Sequence, residues 1–246
     1  MSKLTKKVAL VTGGSRGIGS AIAKGLAADG AAVAITYSKD ADAASSVVKA
    51  IEQTGGKAIA IHADAADADA VKGAVEKTFS TFGGLDVLVN NAGTVIPRKV
   101  EETTLADFDR VFAVNVRGTF VATQTALRHM KSGGRIIMIG SCLGERVLMP
   151  AMAPYSATKG AVKMFTQGLA RELAGRGITV NNVQPGPIDT DLNPAAGDWA
   201  PGQKAVTSLG RYGQVDEVAA LVAFVAGPEA SYITGANLTV DGGTNA

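Results

Sequence analysis

Short apolar runs alternate along the chain with longer segments whose apolar residues recur at helical spacing. Val8–Val11 and Leu85–Val89 are two such runs, and Ser20–Asp29 is a segment with helical spacing. Strands that are apolar throughout are typical of parallel strands covered by helices on both faces. The pattern therefore predicts one doubly wound parallel α/β sheet, and we expect residues 1–246 to form a single domain.

The same alternation sets the remaining boundaries. Further strands are predicted at Ala32–Thr36, Lys57–His62, Arg135–Ile139, Thr179–Gln184 and Asn237–Val240. Helices are predicted at Ala41–Gln53, Asp67–Phe82, Leu105–Met130, Tyr155–Ala174 and Asp216–Ala226. The least regular stretch, Gly186–Gln214, is rich in Pro, Gly and Ala, and we expect it to form a lid beside the functional site.

Composition narrows the class of protein. Hydrophobic residues make up 46% of the chain, charged residues 19%, and the formal net charge is +2. Such a balance gives no broad field for nucleic acid or an anionic membrane, so neither is expected as a partner. Cys142 is the single cysteine, and no signal peptide or membrane-spanning run is visible. We expect a cytoplasmic protein without a metal site.

A glycine-rich segment, Thr12–Gly19, separates the first strand from the first helix. Glycines at such a turn let the backbone approach a pyrophosphate, which then lies against the helix N-terminus. An ordinary strand-to-helix turn is the alternative, but the position after the first strand favours nucleotide binding. The residues expected to bind the cofactor here are Gly13, Ser15, Arg16, Gly17, Ile18 and Gly19.

The choice of cofactor depends on the end of the second strand, where a carboxylate selects NAD. This chain has Tyr37, Ser38 and Lys39 there, and Arg16 in the glycine turn can reach the same place. Hydroxyls and positive charge favour the 2′-phosphate of NADP(H). Asp40 follows closely and leaves NAD as the alternative.

Tyr155 and Lys159 lie four residues apart, on one face of a predicted helix. An ammonium beside a phenol favours the phenolate, so we expect the pKa of Tyr155 to fall from its ordinary value toward neutral pH. Such a tyrosine can exchange a proton with a carbonyl oxygen. Ser141 follows a strand, where it can donate to a substrate carbonyl. Asn115 lies in an apolar helix, as a structural bridge or as part of a proton relay.

In these motifs the sequence resembles the short-chain dehydrogenase/reductase family, over essentially its whole length. The resemblance implies a seven-stranded Rossmann-type fold, hydride transfer from a nicotinamide, and a catalytic tetrad. In that tetrad Asn115 holds a relay water, Ser141 orients the substrate, Tyr155 is the acid/base, and Lys159 binds the ribose and lowers the tyrosine pKa. Further cofactor contacts implied by the resemblance are Asp64 at the adenine, Asn91, Ala92, Gly93, Pro185, Gly186, and Ile188 and Thr190 at the nicotinamide end.

The subgroup that the chain most resembles is the 3-oxoacyl-acyl-carrier-protein reductases and related ketoreductases. Ser141 precedes Tyr155 by fourteen positions, one more than is common there, and the extra residue falls in Leu143–Pro154. This insertion argues against a carrier-protein substrate. A basic patch for a carrier is conceivable at Arg128, His129, Lys131 and Arg135. An apolar pocket for a small ketone or β-keto ester is the competing interpretation, at Leu143, Val147, Leu148, Met149, Met152 and Trp199.

The sequence thus predicts an NADPH-dependent carbonyl reductase acting on a small-molecule carbonyl substrate. The alternatives are an NAD-dependent alcohol dehydrogenase of the same fold and a non-catalytic nucleotide- or ligand-binding regulator. The resemblance also implies a homotetramer, and apolar residues on more than one face of the helix after Tyr155 agree with it.

Overall fold

The computed structural model describes residues 2–246, and within them seven strands form one parallel sheet. The strands are β1 (Val8–Val11), β2 (Ala32–Tyr37), β3 (Lys57–His62), β4 (Val87–Asn90), β5 (Arg135–Ile139), β6 (Thr179–Pro185) and β7 (Asn237–Val240). Their order across the sheet is β3-β2-β1-β4-β5-β6-β7. The predicted doubly wound parallel sheet is confirmed.

Helices cover both faces of this sheet. They are α1 (Gly17–Ala28), α2 (Ala41–Gln53), α3 (Ala68–Phe82), α4 (Leu105–Phe112), α5 (Gly118–Ala126), α6 (Ala153–Leu173), α7 (Ala200–Val206) and α8 (Val215–Ala226). Side chains alternate along each strand, so Val11 enters the core with α1, α2 and α8, while Leu10 enters the core with α3, α5 and α6. Burial on both faces explains why every residue of the central strand β1 is apolar.

Local signals set several helix ends. The Asp40 carboxylate accepts a hydrogen bond from the backbone N–H of Ala43 (2.8 Å) and caps α2. α3 ends at Gly83, whose φ of 74° is left-handed and favours glycine. α1 begins at Gly17, three residues before the predicted start, because the glycine turn leads directly into the helix.

The predicted continuous helix from Leu105 to Met130 is wrong in detail. The chain forms α4, then a π-helical turn at Ala113–Arg117, then α5, which ends at Ala126. Gly118, at the start of α5, passes so close to the loop after β3 that a Cβ there would lie 2.3 Å from the carbonyl oxygen of Ala65. Beyond Ala126 the backbone hydrogen bonds of Arg128 and His129 span three residues instead of four.

The order of the strands fixes the position of the functional site. The chain moves outward from β1 to β3, returns to β4 on the other side of β1, and continues to β7. A crevice opens where this direction reverses, at the carboxyl ends of β1 and β4, and ligands of open α/β sheets bind there. No helix of residues 2–246 has the length and apolar character that crossing a membrane requires.

Candidate active site

The glycine turn after β1 adopts a conformation that its glycines require. Gly13 and Gly17 have φ values of 65° and 52°, in the left-handed region. A Cβ at Gly19 would lie 2.3 Å from the carbonyl oxygen of Gly13, so only glycine lets α1 start this close to the turn. The free N–H groups at the start of α1 therefore face the crevice without side chains in between, an arrangement that suits a pyrophosphate.

Asn91, directly after β4, holds this turn in place through hydrogen bonds. Its side-chain nitrogen donates to the carbonyl oxygens of Thr12 (2.9 Å) and Gly13 (3.0 Å). In return the Thr12 hydroxyl accepts from the backbone N–H groups of Asn91 and Ala92, both at 3.0 Å. Four hydrogen bonds thus hold the loops after β1 and β4 in one rigid floor.

A cavity of about 510 Å³ lies on this floor, at the carboxyl ends of the strands. Every residue predicted for the catalytic tetrad or for cofactor binding lines it except Asn115. The lining therefore includes Gly13, Ser15, Arg16, Gly17, Ile18, Gly19, Tyr37, Ser38, Lys39, Asp64, Asn91, Ala92, Gly93, Ser141, Tyr155, Lys159, Pro185, Gly186, Ile188 and Thr190.

Positive charge gathers at one end of the cavity. Arg16 and Lys39 line that end. Asp191, from the loop after β6, reaches across to Arg16, with 3.7 Å between carboxylate oxygen and guanidinium nitrogen. Asp40, the residue that favoured NAD, does not line the cavity and is occupied as the cap of α2.

Asp64 lies at the same end and is held in the ionised form. Burial raises the pKa of its carboxyl, but hydrogen bonds from the Ala66 N–H (2.9 Å) and the Arg110 guanidinium (3.1 Å) outweigh this and bring the pKa below its usual value. Arg110 comes from α4 and itself lines the cavity.

Tyr155 and Ser141 stand together at the other end of the cavity. The Ser141 hydroxyl accepts from the N–H of Leu143 (3.1 Å), which leaves its own proton free to be donated. Burial raises the pKa of Tyr155 to about 12, and the hydrogen bond with Ser141 lowers it only in part. The expected fall of this pKa toward neutral pH is therefore not found, because removal of the phenolate from water outweighs the neighbouring groups.

Lys159 is the nearest cation to that phenol. Its nitrogen lies 5.6 Å from the centre of the Tyr155 ring and donates to the carbonyl oxygen of Ile139 at 2.8 Å. Burial lowers the pKa of Lys159 to about 8. Both pKa shifts favour the neutral form of a buried group. Because both pKa values still lie above 7, Tyr155 is a phenol and Lys159 is mainly an ammonium near pH 7.

Asn115 lies behind the cavity wall, in the π-helical turn. Its amide oxygen accepts from the N–H of Thr94 (2.8 Å), and its amide nitrogen donates to the Thr94 carbonyl (2.9 Å) and the Thr158 hydroxyl (3.0 Å). The side chain thus joins the loop after β4 to α6, one residue before Lys159. A Cβ built on Gly93 would lie 3.7 Å from both the Asn115 oxygen and the Lys159 nitrogen.

Apolar side chains line much of the cavity. Of the predicted pocket residues, Val147 points away and is exposed. The other predicted pocket residues line the cavity: Leu143, Leu148, Met149, Met152 and Trp199. Four further apolar residues that the sequence did not single out also line it: Val95, Pro97, Leu192 and Val206.

The predicted lid, Gly186–Gln214, contributes cavity-lining residues from Gly186 to Val206. It contains α7, and two of its amides pair: Asn193 donates to Gln203 (2.8 Å) and Gln203 donates back (3.3 Å). The Tyr212 hydroxyl donates to the Asn193 oxygen at 3.2 Å. These bonds fix an otherwise irregular segment across the cavity.

The basic patch considered for a carrier protein lies elsewhere. Arg135 opens β5, at the amino-terminal edge of the sheet, whereas the cavity lies at the carboxyl-terminal edge. Its guanidinium is buried and donates to the carbonyls of Gly133 and Gly134, and His129 pairs with Glu76. The patch therefore flanks no mouth of the cavity.

Known proteins share this fold. Residues 13–245 match the family described as enoyl-(acyl carrier protein) reductase. A short-chain dehydrogenase from Burkholderia cenocepacia, solved in complex with NADP, is 56% identical, with a TM-score of 0.98 over 99% of this chain and 100% of its own. The chain belongs to the short-chain dehydrogenase/reductase family. It is thus an oxidoreductase, as the resemblance implied.

Two curated relatives show how far members of the short-chain dehydrogenase/reductase family diverge at this similarity. A 3-oxoacyl-[acyl-carrier-protein] reductase from Synechocystis is 44% identical over 99% of this chain and 98% of its own length. A cyclic-di-GMP-binding biofilm dispersal mediator protein from Escherichia coli is 45% identical over 98% of both.

Two charged residues at the site of this short-chain dehydrogenase/reductase also escaped the sequence analysis. Arg110 and Asp191 both line the cavity, and each pairs with a predicted cofactor residue, Asp64 or Arg16. Each lies far along the chain from its partner and in no glycine or Tyr-Lys motif. Only the α/β topology, which brings the strand ends together, could have indicated them.

Proposed function

We propose that the chain is an NADPH-dependent carbonyl reductase that converts a ketone, a 3-oxoacyl compound or a β-keto ester to a secondary alcohol. The observation that carries the proposal is that Ser141, Tyr155 and Lys159 share one cavity wall, on the same floor as the glycine turn. When bound, NADPH supplies the hydride.

The cofactor is NADP(H), and the chain's own residues suit it. The side-chain-free start of α1 accepts a pyrophosphate, and Arg16 with Lys39 offers two cations for a 2′-phosphate. Asp40 is turned into its cap, so no carboxylate after β2 opposes that phosphate. NADP in the Burkholderia cenocepacia relative supports the same choice.

The proton chemistry follows from the two shifted pKa values. Tyr155 stays protonated at neutral pH, so it enters the reaction as an acid and gives its proton to the carbonyl oxygen of the substrate. Ser141 donates a second hydrogen bond to that oxygen and so orients it. The Lys159 ammonium stabilises the phenolate that remains and binds the ribose. Asn115 holds the relay water that returns a proton toward Lys159, a role that their closeness at Gly93 supports.

The substrate is uncharged and largely apolar. Besides Lys159, the charged residues of the cavity wall belong to the end assigned to the 2′-phosphate, and the rest of the described wall is apolar or neutral polar. Those charged residues are Arg16, Lys39, Asp64, Arg110 and Asp191. Lys159 is already assigned to the phenolate and the ribose, so a free carboxylate or phosphate on the substrate has no second cation to pair with near Tyr155 among the described residues, and its desolvation is costly. A free ketone or β-keto ester suits this pocket better than a carrier-bound thioester, because the basic patch lies at the opposite edge of the sheet.

The test is a panel of aromatic and aliphatic ketones, β-keto esters and 3-oxoacids, with consumption of NADPH followed by absorbance. We expect turnover of the uncharged compounds and little of the acids. Binding of NADPH without turnover of any compound would favour a binding regulator, the class that the cyclic-di-GMP-binding relative represents. Faster alcohol oxidation with NAD than ketone reduction with NADPH would favour the dehydrogenase alternative.

A homotetramer in the cytoplasm completes the proposal. Leu105, Phe108, Phe120 and Met164 leave apolar side chains exposed on α4, α5 and α6, and Tyr232 is fully exposed near β7. Exposed apolar side chains on two separate parts of the molecule suit two twofold interfaces.

A further inference from the structure

His62 ends β3 directly beside the segment that follows β2. In the sheet register His62 pairs with Tyr37. Its Nε2 lies 3.0 Å from the carbonyl oxygen of Ser38, and its ring meets the Tyr37 ring edge-on, with 5.4 Å between centres. The histidine does not itself line the cavity, whereas Tyr37, Ser38 and Lys39 do.

The contact with Ser38 fixes the tautomer of His62. A carbonyl oxygen only accepts hydrogen bonds, so Nε2 carries the proton and donates it. One side chain therefore restrains two consecutive residues, Tyr37 through its ring and Ser38 through its backbone. The ladder between β2 and β3 ends at this pair, and the chain then turns toward Lys39 and the cap of α2.

We propose that His62 is a positioning residue for NADPH selectivity, which holds Tyr37–Lys39 in the conformation that receives the 2′-phosphate. The inference rests on the proposed contact between that segment and the phosphate. His62 acts on it through the backbone of Ser38 and the ring of Tyr37. Without these contacts the segment after β2 must be ordered each time the phosphate binds. The entropy lost in this ordering weakens the binding of NADPH.

The effect is specific to NADPH and modest in size. A single hydrogen bond contributes about 0.5–1.5 kcal/mol, so its loss raises a dissociation constant roughly 2- to 10-fold. NADH has no 2′-phosphate and depends less on the segment. The reacting groups lie at the other end of the cavity, so kcat is unaffected.

Four variants separate the contacts. His62→Phe keeps a ring on Tyr37 and loses the donor, while His62→Gln keeps an N–H that can reach Ser38. His129→Ala is the matched control, because the other histidine also combines a hydrogen bond, to Glu76, with an aromatic contact, to Phe79, on a distant surface. Lys39→Ala tests the phosphate contact itself. Dissociation constants for NADPH and NADH are measured by calorimetry, alongside kcat and KM.

We expect His62→Phe to bind NADPH about 2- to 10-fold more weakly, with its affinity for NADH and its kcat unchanged. His62→Gln should restore most of the affinity for NADPH. His129→Ala should change none of these quantities. Lys39→Ala should weaken NADPH selectively. Suppose that Lys39→Ala selectively weakens the binding of NADPH, but His62→Phe binds NADPH like the unmodified protein or loses affinity for NADH to the same extent. The role of His62 is then overturned and the proposed cofactor contact stands. If Lys39→Ala also leaves NADPH unaffected, the segment does not bind the phosphate and both ideas fail.

Discussion

The ammonium nitrogen of Lys159 lies 2.8 Å from the carbonyl oxygen of Ile139, the last residue of β5. The bond joins α6 to the central sheet inside the protein, and it is the contact that holds a cation close to Tyr155. Burial of this cation costs free energy, and the lowered pKa of Lys159, about 8, reflects that cost.

The cost should be visible as a pH dependence of stability. In the unfolded chain the lysine keeps its proton up to its ordinary pKa near 10.5. Between pH 8 and pH 10 the unfolded state therefore binds more protons, and the free energy of unfolding rises with pH. Lys159→Met has no such group. We expect the free energy of unfolding of Lys159→Met, minus that of the unmodified protein, to fall by on the order of 1–3 kcal/mol over this window.

Denaturant titrations at several pH values measure this difference. Tyr155, with a pKa raised to about 12, lowers the free energy of unfolding only above its ordinary pKa of about 10. Because both proteins contain this tyrosine, it does not affect the difference between them below that pH. The unpaired carbonyl of Ile139 in the variant adds a cost that does not depend on pH. A difference that stays constant from pH 7 to pH 10 would show that the lysine titrates normally.

Gly144 fixes the distance between the Ser141 turn and α6. A Cβ at Gly144 would lie 2.9 Å from the carbonyl carbon of Lys159, so Gly144→Ala must push the turn away. We expect lower kcat and a loss of about 1–3 kcal/mol in stability. Gly168→Ala, within α6 itself and with no atom within 4 Å of the new Cβ, is the control. Gly168→Ala should keep full activity, and its free energy of unfolding should rise by up to about 1 kcal/mol. Similar thermal melting and kcat in both variants would contradict this.

The fold was largely visible in the sequence because its signals are local. Apolar runs gave β3 and β5 to the residue, and the spacing of Gly13, Gly17 and Gly19 marked the turn that leads into α1. Tyr155 and Lys159 were found because four residues form one helical turn.

What the sequence could not indicate depends on distant contacts. Burial decides the direction of the Tyr155 pKa, and burial follows from packing across the whole crevice. Arg135 looked like part of a surface patch, yet as the first residue of a central strand its guanidinium is covered. Val147 matched the apolar pattern of its neighbours, but the loop turns it outward.

Arg16 should matter for NADPH and not for NADH. Loss of a charged hydrogen bond costs about 1.5–3 kcal/mol, so Arg16→Ala should raise KM for NADPH about 10- to 100-fold. Asp191→Asn removes the carboxylate that competes for the same guanidinium and should lower KM for NADPH modestly, since that pair is exposed. Steady-state kinetics with both cofactors decides the matter. An equal loss with NADH would place Arg16 at the pyrophosphate instead.

The proposed tetramer predicts a particle of four 24.9-kDa chains in light scattering at micromolar concentration. Phe120 on α5 lies 6.0 Å from Phe165 on α6 and is nearly half exposed, so Phe120→Lys places a charge in the apolar face. We expect this variant to form smaller assemblies, because the buried charge is unpaired. A monomer for the unmodified protein would refute the proposed assembly.

The sharpest prediction concerns the proton donor. Tyr155→Phe keeps the ring and its contact with Lys159 and removes only the hydroxyl that Ser141 faces. General acid catalysis is typically worth about 10²–10⁴-fold, so kcat for reduction should fall by at least that factor. Affinity for NADPH should change little, because in the proposed binding mode the glycine turn and the cations at the far end of the cavity hold the cofactor. Lys159→Ala should differ, since it removes both the ammonium beside the phenol and the proposed ribose contact, and so should also weaken the binding of NADPH. Comparing kcat with dissociation constants from calorimetry separates chemistry from binding. If folded Tyr155→Phe keeps more than about a tenth of the original kcat, another group gives the proton. The proposed roles of Ser141 and Lys159 would then lose the residue through which they act.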